Sequence, residues 1–206
     1  MLFGGALMIL GNAVFSPMVP FEGTAAEAAG SMAFVWRLAT NAMAVFLLMI
    51  GSTGIYKLQA KQGGMFGDAA FAIVFSGSAF MFAHEWGQVF FIHTMAAANP
   101  EEFNALDGSS PAMFLIELGF SLGGFALGWI LFSISALMAN TLPRRGPILV
   151  LSGFVAVPGF SAVLSSPIWG GIFGSLFLGG GLMLMGWPLL KAQNGAAANP
   201  EPTPIS

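Results

Sequence analysis

The chain has 206 residues, of which 56% are hydrophobic and only 7% charged, with a net charge of −3. Soluble domains carry about 25% charged residues, so a water-facing surface cannot be assembled from this composition and lipid is the expected solvent. The small charge argues against a nucleic-acid partner, and the absence of cysteine excludes disulfides, thiol catalysis, thiolate-bound metals and c-type haem attachment, leaving histidine and carboxylates as the strong ligands.

Six apolar segments follow one another, predicting an all-α, polytopic membrane bundle of six transmembrane helices. The first covers residues 2–16 and stops at Pro17 and Pro20. It has no Lys or Arg ahead of its apolar run and no A-x-A site soon after, so it reads as a retained span rather than a signal peptide. The second covers 32–56 and ends at Tyr56-Lys57. The third covers 68–96 and stops before Asn99-Pro100. Ser110-Pro111, an N-cap followed by proline, starts the fourth, 111–140, which stops before Pro143. The fifth, 147–164, carries an internal Pro158 that should kink it. The sixth, 167–190, ends around Trp187-Pro188. A hydrocarbon core about 30 Å thick takes about 20 helical residues, a length these segments reach or approach.

Between the spans, Thr24-Ala25-Ala26-Glu27 is a capping box for a short helix. Asn99-Pro100-Glu101-Glu102-Phe103 is a second helix start, with Phe103 and Leu106 placed to lie on the membrane surface. The Gly170/Gly174 and Gly124/Gly128 pairs read as helix-packing faces. Residues 192–206 have the composition of a disordered tail.

Charge orients the bundle. With six spans, Lys57, Lys61, Arg144, Arg145 and Lys191 fall on one side with both termini. Glu22, Glu27, Glu101, Glu102 and Asp107 fall on the other. Basic loops stay in the cytoplasm, so both termini are expected there, in a bacterial inner membrane. The Ser16-Pro17 stop, the Gly51-Ser52-Thr53-Gly54-Ile55-Tyr56 end of the second span and the Leu142-Pro143-Arg144-Arg145 turn resemble a broad group of small six-span bacterial inner-membrane proteins with no established activity. The resemblance implies a fold and a location, and transfers no active site.

The polar residues inside the spans share one leaflet. At 1.5 Å per residue, Gln88 lies about 10–12 Å below the outer surface, His84 and Glu85 about 15–18 Å, and Glu117 about 9 Å. Arg37 and Asn41 sit near the outer end of the second span, and Asn12 in the outer half of the first. Helical angles place His84, Glu85 and Gln88 in one sector about 100° wide, with His93 about 180° from His84.

Three readings fit this cluster of Arg37, Asn41, His84, Glu85, Gln88 and Glu117. In the first, Arg37 pairs with Glu117 or Glu85, the amides and His84 complete the hydrogen bonds, and the network only fixes helix register. That suits a non-enzymatic accessory or scaffolding subunit of a larger membrane complex, or a homodimer. In the second, the cluster is an outward-facing ligand or proton site of a small transporter or membrane enzyme, with Arg37 for an anion and a Glu–His pair for protons. In the third, His84, Glu85 and Glu117 hold a metal, or His84 ligates a haem or pigment.

Overall fold

A computed structural model describes residues 1–105 and 116–198. Among the described residues there is no strand. Helix α1 (Leu2–Leu10) continues through a π turn, Gly11–Phe15, and a 3₁₀ turn, Ser16–Met18, before the prolines end it. The capping box starts α2 (Ala25–Gly30): Thr24 Oγ1 accepts from the Glu27 amide at 3.2 Å, and Glu27 Oε2 accepts from the Thr24 amide at 2.9 Å. Ser31 caps α3 (Met32–Gly87), which passes through a π turn, Gln88–Ile92, into α4 (His93–Ala98). After Asn99 come α5 (Pro100–Ala105), α6 (Ile116–Ala139), α7 (Arg145–Val163) and α8 (Pro167–Ala198).

Four of these runs are long and apolar enough to cross a membrane: Met32–Ala98, Ile116–Ala139, Arg145–Val163 and Pro167–Leu190. Leu2–Met18 is apolar but shorter. The first of the four has 67 residues and would extend about 100 Å if straight, well beyond one hydrocarbon core. It does not stay straight, because Gly64 has φ 52° and ψ −158°, a backbone that residues with a Cβ rarely adopt. The chain folds back there. The Tyr56 hydroxyl donates to Asp68 Oδ1 at 2.8 Å, Tyr56 stacks on Phe71 at 4.3 Å, and Phe46 meets Phe82 at 5.8 Å. The second and third expected segments are thus the two arms of one hairpin.

Glycine lets neighbouring segments touch backbone to backbone. Gly77 sits on Gly124, and a Cβ on Gly128 would lie 2.5 Å from Val74 Cα. Gly170 and Gly174 lie against Ser161 and Val157. Met1 packs beside Gly51 and Gly186, and Gly146 beside Met185. These contacts gather Met1, the Gly64 hairpin and the α6–α7 turn at one end, where Lys57, Lys61, Arg144 and Arg145 are all exposed. At the other end α2, α4 and α5 pack around Val19, Ala29, Phe34 and Leu38. Large apolar side chains cover the outside, with Phe91, Val155 and Val163 all more than 70% exposed, as suits a lipid-facing surface.

Three boundaries differ from expectation. Residues 57–63 are helical rather than a loop, since Lys, Leu, Gln and Ala are strong helix formers and Gly64 alone makes the turn. Helix α8 runs through Pro188 to Ala198, so residues 192–198, composed as a disordered tail, are helical. Phe103 packs against the cluster of Val19, Ala29, Phe34 and Leu38 instead of lying free on the membrane. Leu106, Asp107, the Ser110-Pro111 start and residues 199–206 lie outside the described residues.

Candidate functional site: a central chamber and an outer-face pair

The polar level is where the helices lose their regular winding. The π turns Gly11–Phe15, Gln88–Ile92 and Gly119–Gly123 occur in three different helical runs. Asn12 lies within the first, Gln88 opens the second, and Glu117 precedes the third by two residues. π turns are rare and concentrate at functional sites. Each has a glycine at or just before its start, Gly11, Gly87 and Gly119.

A cavity of about 390 Å³ lies at this level, at the centre of the bundle. The N-terminal helical run, both arms of the hairpin, α6, α7 and α8 all contribute to its wall. Its polar groups are Asn12, Arg37, Asn41, Glu85 and Ser175, and the remaining lining is apolar, with Met8, Phe125 and Phe154 among it. Arg37 is held by its Nε, which donates to Ser16 Oγ at 2.9 Å. The Asn12 amide nitrogen donates to the Met8 carbonyl at 2.9 Å and to Asn41 Oδ1 at 3.2 Å. That second bond needs Gly11, where a Cβ would lie 2.5 Å from Asn41 Oδ1.

Glu85 is only 5% exposed, and its Oε2 has no hydrogen-bond partner among the described residues. The register-fixing expectation paired Arg37 with Glu85 or Glu117. Among the described residues, however, the single carboxylate–cation contact within 4 Å is His84 with Glu117. The chamber therefore holds a guanidinium and a carboxylate that face the same space without touching. Pro158, also in the wall, cannot donate to the Phe154 carbonyl one turn earlier. The lining residues Leu122 and Val157 are 51% and 36% exposed, so the rim opens sideways between α6 and α7.

His84 and Gln88 leave α3 on a different face from Glu85. His84 Nδ1 lies 2.9 Å from Glu117 Oε2 and 3.0 Å from Oε1. Its Nε2 meets the Gln88 amide nitrogen. A neutral ring with its proton on Nδ1 satisfies both contacts, donating to the carboxylate and accepting from the amide. The His84 side chain is 10% exposed and that of Glu117 47%.

The six expected residues thus divide: Arg37, Asn41 and Glu85 share the chamber, while His84, Gln88 and Glu117 form a chain beside it. The expected metal ligands His84, Glu85 and Glu117 are divided between the two groups. Among the described residues no three His, Asp or Glu side chains converge as a metal site requires, because Glu85 turns away from the His84–Glu117 pair. Both His84 ring nitrogens face protein partners, Glu117 and Gln88. His93 belongs to neither group; its Nδ1 lies 3.0 Å from the Ala29 carbonyl, at the end of α2.

Two participants were missed in the sequence. Ser16 was read only as the end of a span, and Ser175 is one serine among many on an apolar helix. Neither position carries a pattern that separates it from ordinary span residues. No known protein family, curated protein or solved structure matches the chain.

Proposed function

We propose that the protein is a six-span, multi-pass protein of a bacterial inner membrane, with both termini cytoplasmic, that binds a small molecule in its central chamber as a carrier or receptor does. The observation that carries this reading is a guanidinium and a carboxylate that face one cavity and, among the described residues, have no ion-pair partner. A network built only to fix helix register would close that pair, because a buried charge left without a partner is costly. The volume lies at the small end of the range for small-molecule sites, and a mostly apolar lining with a few polar groups is their usual make-up. The two arms about Gly64, together with the short first run, α6, α7 and α8, supply six alternating segments. The basic residues at one end support the orientation.

Glu85→Gln tests this reading. A binding chamber predicts a changed ligand response with a melting temperature close to that of the parent. An element that serves only structure predicts the reverse.

A second reading, an accessory subunit or homodimer, draws support from the outer face. There Phe80 and Phe120 pack at 6.0 Å beside a groove of about 290 Å³ lined by Ser76, Gly77 and Gly124, small residues that suit a close helix neighbour. Phe80→Ala would then alter co-purification with other subunits while leaving the chamber unchanged.

A further inference from the structure

We propose that the chamber takes an organic acid, a carboxylate head on an apolar body, together with one proton that Glu85 carries. The inference rests on the reading of the cavity as a binding chamber, and adds a ligand class and a coupling to it.

The argument starts from charge. Among the described residues, the one ionisable group in the chamber wall besides Glu85 is Arg37. The first run contributes Asn12, uncharged, and the hairpin's first arm contributes Arg37 and Asn41. α6 and α7 contribute only apolar lining, and α8 contributes Ser175. His84 and Glu117 are paired with each other on another face. Arg37 is committed through Nε to Ser16, and among the described residues its two terminal nitrogens have no hydrogen-bond partner. A guanidinium presents those nitrogens as a planar fork that matches a carboxylate.

With both groups ionised, the empty chamber is neutral. An incoming carboxylate takes the charge of Arg37 for itself and leaves Glu85 as a second anion in a site of low polarity. Two carboxylates sharing such a site cannot both stay ionised. The charge balances when Glu85 takes a proton from water, and its new O–H can donate to the ligand's free oxygen. The ligand therefore enters with one proton and leaves with it. The apolar lining and the lateral rim at Leu122 and Val157 suit the ligand's body. A neutral amide cannot engage the planar Arg37 fork as a carboxylate does, and an ammonium that paired with Glu85 would leave Arg37 beside it as a second cation.

The test is calorimetric titration of the full chain in lipid nanodiscs with three probes of one shape: benzoate, benzamide and benzylamine. Each titration is run in two buffers of different ionisation enthalpy, which counts protons without any mutation. The expected result is benzoate binding with uptake of one proton, and an affinity that falls about tenfold per pH unit once Glu85 is ionised in the empty chamber. In Glu85→Gln, whose amide mimics the protonated carboxyl, benzoate binding is expected to lose both its proton uptake and its pH dependence. Benzoate binding without proton uptake by the parent protein would overturn the coupling. Binding of benzamide or benzylamine in preference to benzoate would overturn the ligand class but leave a binding chamber. Failure of all three would overturn the chamber reading as well.

Discussion

Glu85 and His84 are adjacent in the chain and leave the same turn of α3, yet they meet different surroundings. His84 has a partner on each ring nitrogen, one of them a half-exposed carboxylate that can also be solvated. Glu85 is almost fully buried, has an unpartnered oxygen and faces a cavity that contains an arginine it does not touch. The difference teaches that polar residues at one depth of a membrane bundle need not form one site. A satisfied network explains itself by its own hydrogen bonds. An unsatisfied one calls for a further partner, because the cost of burying an unpaired polar group is otherwise uncompensated.

Four substitutions probe this contrast, from the largest expected effect to the smallest. Arg37→Gln removes the cation of the chamber and is expected to weaken benzoate binding at least about a hundredfold, the loss of a buried charge-assisted pair worth about 3 kcal/mol. Equal binding by this variant would dissolve the distinction between the two groups. Gly77→Ala puts a methyl group against the Gly124 backbone, and neither chain can yield without separating α3 from α6. A loss of about 1–3 kcal/mol is expected in thermal or denaturant unfolding in detergent, on the face that carries His84 and Glu117.

Gly11→Ala displaces the Asn41 amide and breaks its bond with Asn12, at a cost of about 1 kcal/mol. Because it acts on the chamber wall, benzoate affinity should fall while the NMR signals of the His84 ring stay unchanged. Glu117→Gln keeps a hydrogen-bond acceptor for His84 and removes a half-exposed charge. A stability change of about 1 kcal/mol or less is expected, with chamber binding unaltered. A large effect on benzoate binding from Glu117→Gln would join the two groups again.

Much of the fold was legible because apolar length and proline placement are local signals. The capping box at Thr24 and Glu27, the stop at Asn99 and the starts near Arg145 and Pro167 all lie where the residues indicated. The hairpin was less legible: the apolar pattern fades at Tyr56, but helix propensity carries the helix on to Gly63. Pro188 was overread, since a helix can pass through a proline when its freed carbonyl finds another partner. For the site, depth was readable from residue counting, but direction was not. Glu85 and Gln88 both fell within the predicted sector around His84, and small rotations decide which helix each one meets. The π turns that change those rotations have no sequence signature beyond a nearby glycine. The Arg37–Ser16 bond joins residues 21 apart in sequence and depends on how the first run packs against α3.

The absence of cysteine in the natural chain allows the most direct test of the central claim, that Glu85 faces an accessible chamber built to hold a ligand. Ser175→Cys places one thiol in the chamber wall, and Ser133→Cys places one in the closed core, where Ser133 is fully buried and outside the lining. The rate of N-ethylmaleimide labelling would be measured for each variant in native membranes, with and without benzoate. The account predicts that the chamber thiol reacts, that benzoate slows it, and that the core thiol stays inert under both conditions. A chamber thiol as inert as the core thiol, or one that reacts at the same rate with benzoate present, would contradict it.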